Sequence, residues 1–120
     1  MNTKEINATI ENIVSGLSKL KAEFDRHQMS EIRYGLLRDC VDVSKYANPQ
    51  FDWSQMFEIR LGFEQGLDAS KYADPKFDVN QMREIREGLE AGVDVSNYAN
   101  PDIDWEQMEK IRKELSEKET

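Results

Sequence analysis

Apolar residues recur at helical spacing in a phrase that returns along the chain. In residues 51–66 the apolar positions lie three, three and four residues apart, which places their side chains on one face of a helix. These positions are Trp53, Met56, Ile59 and Phe63. Nearly the same phrase begins again at Phe77 and Ile103 and, in part, at Phe24. The pattern predicts four helices, each with one buried apolar stripe.

Each predicted helix begins at an aspartate that is followed three residues later by a glutamine. In such a capping box the aspartate carboxylate accepts from N–H groups of the first turn, and the glutamine side chain bonds back to the cap. The four pairs are Asp25 and Gln28, Asp52 and Gln55, Asp78 and Gln81, and Asp104 and Gln107. An apolar residue before each aspartate and a methionine at the fourth helical position add a hydrophobic staple. We therefore expect the same helix start four times.

A second phrase, Asp-x-Ser-x-Tyr-Ala, follows each of the first three helices. Gly66 and Gly92 precede it, at positions where a left-handed residue commonly ends a helix. In the first unit Cys40 occupies the equivalent place, so its helix end is expected to differ. The aspartate is suited to cap a helix of about one turn, and the proline that comes next stops it. The phrase begins at Asp42, Asp68 and Asp94.

The two phrases together have a nearly constant period. Met56, Met82 and Met108 are 26 residues apart, whereas Met29 precedes Met56 by 27. Such a period is typical of stacked repeats, in which each helix pair buries its apolar face only against its neighbours. We therefore predict an all-α fold, a short α-solenoid of about 26-residue helix–turn–short-helix repeats capped by a longer N-terminal helix.

The 120 residues are predicted to form a single domain with five segments. They are an N-terminal capping helix at 1–23, repeats at 24–50, 51–76 and 77–102, and a terminal capping helix with a tail at 103–120. From Ile6 to Phe24 the apolar residues alternate by four and three, the spacing of a coiled-coil seam. Two interpretations stay open: this helix covers the first repeat, or it forms a homodimer through residues 6–24.

A glycine recurs inside each of the first three helices. Glycine in a helix interior costs about 0.5–1 kcal/mol relative to alanine, so its repetition indicates a use. We expect a tyrosine ring of the following short helix to approach the backbone there. The predicted pairs are Gly35 with Tyr46, Gly62 with Tyr72 and Gly88 with Tyr98, and the last helix has Glu114 in this place.

Charge is distributed unevenly along the chain. Residues 1–50 carry seven basic and seven acidic side chains, whereas residues 51–120 carry nine and seventeen, which accounts for the net charge of −8. This surplus disfavours direct nucleic-acid binding, because that affinity depends on Lys and Arg neutralising phosphates. It is compatible with binding a basic protein surface, with imitating nucleic acid, or with a solvated face that keeps the protein in solution.

The residues that usually carry chemistry are sparse. His27 and Cys40 are the only residues of their types and have no patterned partners, and the loop aspartates lack the spacing of a calcium-binding EF-hand. We therefore predict no catalytic residue, no metal and no cofactor, and we do not expect an enzyme. No apolar run of membrane length and no secretory signal is present, and a lone cysteine favours a reducing cytoplasm.

Arginine recurs at one position of every repeat. Because a partner seldom contacts all copies equally, this recurrence predicts ion pairs or hydrogen bonds between successive units. These arginines are Arg33, Arg60, Arg86 and Arg112. Residues that break the repeat are better binding candidates, above all Phe57, an aromatic residue beside the core stripe. The predicted partner-binding residues are Phe57, Glu64, Glu87, Glu90 and Asp102.

The repeated wording, Phe-Asp-Trp-x-Gln-Met-x-Glu-Ile-Arg-x-Gly-Leu-Glu followed by Asp-Val-Ser-x-Tyr-Ala-x-Pro, resembles helical repeats of proteins encoded by conjugative elements and prophages of gut-type bacteria. The match covers about residues 24 to 115, and its first unit departs at Cys40. The resemblance implies a mobile-element origin and a place in the cytoplasm of the host bacterial cell. Small acidic proteins of such elements include inhibitors of host defence, among them anti-CRISPR and anti-restriction proteins.

The sequence therefore leads to two alternative expectations, which belong to different classes of function. The first is a non-enzymatic protein-binding module that inhibits a nucleic-acid-handling defence protein, its partner being a CRISPR or restriction effector, with no direct nucleic-acid binding and no membrane contact. The second is a structural or assembly protein that associates with its own copies through the N-terminal helix.

Overall fold

The structure is a computed structural model that describes residues 2–8, 12 and 23–119. All regular secondary structure in these ranges is helical, which confirms the predicted all-α class. Four α-helices follow one another: α1 at Arg26–Leu36, α2 at Trp53–Glu64, α3 at Val79–Glu90 and α4 at Trp105–Glu119. Three short 3₁₀ helices lie between them: η1 at Val43–Lys45, η2 at Ala69–Lys71 and η3 at Val95–Asn97.

The helix starts are those predicted from the capping boxes. In α1, α2 and α3 the aspartate carboxylate accepts from the glutamine N–H while the glutamine side chain accepts from the aspartate N–H. In α4 the N–H of Gln107 donates to Asp104 at 2.8 Å. The short helices are capped by Asp42 and Asp94, but Asp68 makes no such cap bond and its carboxylate accepts from the Ser70 hydroxyl instead. The cap predicted at Asp68, the second of the three, was therefore wrong.

The helix ends also follow the sequence, including the departure expected in the first unit. Gly66 and Gly92 have φ of 73° and 74°, the left-handed conformation that glycine adopts without a steric penalty. Among the described residues no other type has a positive φ, so α1 lacks the left-handed residue that follows the cap residues of α2 and α3. Leu37 and Cys40 lie exposed between α1 and η1.

The core runs through the units from α1 to α4, because each helix packs against the next one along the chain. The methionine of every stripe is buried, as is the isoleucine in α1, α2 and α3, with Met56 and Ile59 fully inaccessible, whereas Ile111 in α4 is partly buried. Trp53 was expected in the same stripe but is 49% exposed, since Phe51 and Met56 fill the core at that end of α2. Trp53 instead lies beside the ring of His27, with ring centroids 6.1 Å apart.

The recurring glycines admit tyrosine side chains, as predicted. The Tyr72 hydroxyl lies against Gly62 and donates to the Glu58 carbonyl oxygen at 2.5 Å, inside the same unit. Equivalent hydrogen bonds of Tyr46 and Tyr98 measure 2.8 and 3.0 Å. All three rings are at most 1% exposed. The glycine is therefore the opening through which the short helix docks on the long one.

The N-terminal segment is described only in part. Residues 3–8 are helical, and Asn2 and Glu5 form the reciprocal cap that their spacing predicts, with bonds of 3.3 and 2.9 Å. Ile6 is 43% exposed, whereas Phe24 at the other end of the predicted seam is buried. Most of the predicted capping helix at 1–23, and of the dimer seam at 6–24, lies outside the described residues.

Candidate protein-binding surface

Ion pairs connect each long helix to the next. The Nε atom of Arg60 donates to Glu31 at 2.7 Å, that of Arg86 to Glu58 at 2.7 Å, and that of Arg112 to Glu84 at 2.9 Å. The accepting carboxylates are buried, so each pair is removed from most of the solvent. The recurring arginines thus join successive units, which confirms their structural interpretation. Arg33, in the first unit, is exposed and donates to the Ser30 hydroxyl at 3.4 Å.

Each of these arginines also meets a second carboxylate, and here most of the predicted binding residues are found. Arg60 contacts Glu64 at 2.6 Å, Arg86 contacts Glu90 at 3.0 Å and Arg112 contacts Glu87 at 3.1 Å. Burial alone lowers an arginine pKa, but hydrogen bonds and charge from the two carboxylates outweigh it and raise the pKa of all three arginines. The three glutamates therefore have structural partners, and Glu90 is the most exposed of them at 38%.

A second link between units uses the capping glutamines. The Nε2 atom of Gln28 donates to the Phe51 carbonyl oxygen at 2.6 Å, that of Gln55 to Phe77 at 2.6 Å and that of Gln81 to Ile103 at 2.7 Å. Sequence reasoning missed this role because capping already explained the residue. The sequence feature that could have predicted this link is the use of glutamine rather than glutamate in every unit, because only the amide can donate to a carbonyl oxygen.

At the junction of α1 and α2 an arginine lies over two exposed aromatic rings. The Arg60 guanidinium carbon lies 5.3 Å from the ring centroid of Tyr34 and 5.3 Å from that of Phe57. Tyr34 is 54% exposed and Phe57 is 37% exposed. We call Tyr34, Phe57 and Arg60 the aromatic patch. Leu37, three residues after Tyr34, is 80% exposed.

The structure brings together two of the five predicted site residues. Phe57 and Glu64 both contact Arg60, whereas Glu87 and Glu90 lie at later junctions. Asp102 is exposed in the loop before α4. Tyr34 was missed because it is 23 residues from Phe57 in the chain, and their meeting depends on how α1 packs on α2. Tyr34 could have been found in the sequence because it also departs from the repeat pattern. The equivalent positions of the later helices hold Leu61, Glu87 and Lys113.

The aromatic patch is held in place by several contacts. Its arginine is held by two carboxylates and lies over two rings, so little conformational entropy remains to be lost when a partner binds. Within the described ranges no three His, Cys, Asp or Glu side chains lie together as metal ligands would. Nor does any helix there combine the length and apolar composition of a membrane span.

Comparison with known proteins supplies no identity for this surface. The chain matches no protein-family model, and the comparisons with curated proteins and with solved structures found no match.

Proposed function

We propose that the chain is a short α-solenoid whose long helices stack through one repeated contact set. Three successive junctions use the same two links, an arginine on a buried glutamate and a glutamine on a backbone carbonyl. Each of the three repeats at 24–50, 51–76 and 77–102 buries the same methionine, isoleucine and tyrosine. Repeated nearest-neighbour contacts of this kind are the basis of solenoid architecture.

On this scaffold we propose a non-enzymatic protein-binding module. The observation that carries the proposal is the aromatic patch, in which Arg60 lies over two exposed rings at the junction of α1 and α2. Aromatic residues and arginine are the commonest anchors of protein interfaces, and a rigid anchor costs less to immobilise. Phe57 and Tyr34 are therefore the contact centre, and Glu64 belongs to its rim.

The charge distribution supports a basic partner. Residues 51–120 hold the whole charge surplus, and Glu90 and Asp102 are exposed there. An acidic surface accelerates association with a basic one, and nucleic-acid-handling proteins carry basic surfaces. Together with the likeness to mobile-element repeats, this favours a CRISPR or restriction effector that the protein inhibits in the host cell.

The test is capture and inhibition of candidate effector nucleases. Purified protein is expected to retain an effector and to reduce its DNA cleavage, more strongly at 50 than at 300 mM salt, because screening weakens the charge contribution (about 10 Å Debye length at 0.1 M). Phe57→Ala and Tyr34→Ala are expected to weaken both effects about tenfold or more. Trp105→Ala is the control, since Trp105 is 38% exposed but lies on α4. Equal loss in all three variants, or no inhibition of any effector, contradicts the proposal.

A second function, self-assembly, is favoured by the exposure of Ile6 on the helical residues 3–8. In that case the N-terminal segment joins two copies through residues 6–24. Light scattering of the full chain should then give a dimer, and a chain beginning at Lys21 should give a monomer. Monomers from both at high micromolar concentration exclude this assembly.

A further inference from the structure

Aromatic side chains line the junction of α1 and α2 beyond the aromatic patch. The rings of His27 and Trp53 lie beside each other across this junction, with centroids 6.1 Å apart. Trp53 is four residues before Phe57 on α2, and His27 is seven residues before Tyr34 on α1, spacings that keep side chains on one face of a helix. All four side chains are exposed. We call His27, Tyr34, Trp53 and Phe57 the aromatic row.

The later junctions do not repeat this row. The positions equivalent to it at the junction of α2 and α3 hold no aromatic residue, and those at the junction of α3 and α4 hold one. The first set is Ser54, Leu61, Val79 and Arg83, and the second set is Asn80, Glu87, Trp105 and Glu109. A function that needs several rings in line is therefore confined to the first junction.

The charged groups beside the row cancel one another. Arg60 is held by Glu31 and Glu64. Arg38 lies 3.5 Å from Glu64, so two cations meet two carboxylates. Arg60 already lies against both rings of the aromatic patch, and its charge repels a second cation placed on them. The row therefore fits an uncharged, apolar segment better than a lysine or arginine side chain.

We propose that the aromatic row binds a proline-rich segment of a partner protein, in the polyproline II conformation and with the spacing Pro-x-x-Pro. Such a helix presents the same edge every third residue, about 9.3 Å apart at 3.1 Å per residue. The two ends of the row are about 10.5 Å apart, since seven residues separate His27 from Tyr34 at 1.5 Å each. One proline then lies on Trp53 while the other lies on the rings of the aromatic patch.

Hydrogen-bond donors on the row support this partner. A polyproline II segment has no internal hydrogen bonds, so its carbonyl oxygens are open to donors. Trp53 is 49% exposed and Tyr34 is 54% exposed, and their indole N–H and hydroxyl groups can donate to such oxygens. The segment is ordered before it binds and loses little entropy on aromatic surfaces. The acidic surplus of residues 51–120 favours basic residues on either side of the prolines.

The proposal rests on the protein-binding function proposed above and names the chemistry of the segment that reaches the contact centre. Single-stranded nucleic acid also stacks on aligned aromatic rings. The net charge of −8 repels its phosphates, so it is the disfavoured occupant and one arm of the test.

Nuclear magnetic resonance of the full chain tests the proposal, because Trp53 and Trp105 are its only tryptophans and each gives its own indole N–H signal. The probe is a 12-residue peptide with Pro-x-x-Pro in its middle and two lysines at each end. The control peptide has alanine in place of both prolines. We expect the proline peptide to shift the Trp53 signal in a saturable way and to leave the Trp105 signal in place. Trp53→Phe removes one signal and so assigns it.

Substitutions within and outside the row complete the test. Tyr34→Ala and Phe57→Ala should weaken peptide binding about tenfold or more, whereas Trp105→Ala, at the lone ring of the last junction, should leave it unchanged. All three side chains are exposed, and circular dichroism verifies that the variants keep their helix content.

Three results overturn the proposal: no shift of the Trp53 signal at 2 mM peptide, an equal shift with the alanine peptide, or tighter binding of a twelve-nucleotide oligothymidine. A row that the chain's own residues 1–23 occupy gives the first of these results. The two proposals fail separately. Effector inhibition that depends on Phe57 without peptide binding overturns only the proline-rich segment, whereas peptide binding without inhibition of any effector overturns only the effector as partner.

Discussion

At the scale of single residues, the strongest constraint is the space that the helix glycines leave for tyrosine. A Cβ atom at Gly62 or Gly88 overlaps the hydroxyl of the tyrosine packed there. It also lies 3.1 Å from the Ala69 Cβ in the first case and 2.8 Å from the Val95 Cγ1 in the second. These neighbours are buried, so they have little room to move away.

We therefore expect Gly62→Ala and Gly88→Ala to destabilise the fold by about 1–3 kcal/mol, the cost of overpacking, although alanine favours a helix. The measurement is the urea midpoint at pH 7. Glu114→Ala, at the equivalent exposed position of α4, should change the free energy of unfolding by less than about 0.5 kcal/mol. A higher midpoint for both glycine variants is incompatible with the tyrosine contact.

At the scale of the helices, the buried ion pairs decide how strongly one unit holds the next. Glu58 is 3% exposed and accepts from Arg86, which is also buried. Removing the arginine leaves a carboxylate without its main partner in a poorly solvated place, and breaking such a pair costs about 3–5 kcal/mol. We expect Arg86→Ala to lower the free energy of unfolding by about 3 kcal/mol in urea melts.

Arg33→Ala is the matched control for that change. Arg33 has the same place in its unit but is exposed, and its described bond is to Ser30 on its own helix. We expect a loss below about 0.5 kcal/mol, as for most surface substitutions. The double variant Glu58→Gln/Arg86→Met should recover part of the loss, because no buried charge is then left alone. Equal losses for Arg33→Ala and Arg86→Ala contradict a special role for the junction.

The elements themselves were predictable because their signals are local. Aspartate, glutamine, glycine and proline fix the ends of the helices through contacts only a few residues apart. Contacts between units were predicted where the same residue recurs, as with Arg86, and missed where a local role already explained the residue, as with Gln81. The exposure of Trp53 was mispredicted because periodicity shows which side chains share a face of a helix. It does not show which turns of that face are covered by a neighbouring element.

At the scale of the whole molecule, the candidate surface was only half visible in the sequence. Phe57 was found because it breaks the repeat, and Arg60 lies three residues later on the same helix, but Tyr34 joins them only through the packing of α1 on α2. The candidate glutamates were selected by charge, and charge does not reveal that Glu64, Glu87 and Glu90 already pair with arginines. What a repeat protein binds depends on such departures from its pattern, whereas the pattern itself specifies the stack.

The same stack makes the whole molecule sensitive to alkaline pH. Burial raises the pKa of Tyr98 to about 12 and raises the pKa of Tyr46 and Tyr72 as well. In the unfolded chain a tyrosine loses its proton near pH 10. Above that pH the folded protein therefore binds more protons than the unfolded chain, up to one for each of the three tyrosines. Their stabilising contribution is complete below about pH 10 and is lost as the pH rises towards 12.

We expect the free energy of unfolding to vary little between pH 8 and 9 and to fall steeply above pH 10, by up to about 1.4 kcal/mol per pH unit for each retained proton. Urea melts from pH 8 to 11.5 measure this slope. Tyr98→Phe should be less stable at pH 8, because it loses the hydrogen bond to the Glu84 carbonyl oxygen. Above pH 10, however, its free energy of unfolding should fall less steeply with pH, by an amount that corresponds to at most one retained proton. Tyr34→Phe, which changes a half-exposed ring, should keep the wild-type slope. An unchanged slope in Tyr98→Phe would show that its buried phenol is not the group whose ionisation unfolds the stack.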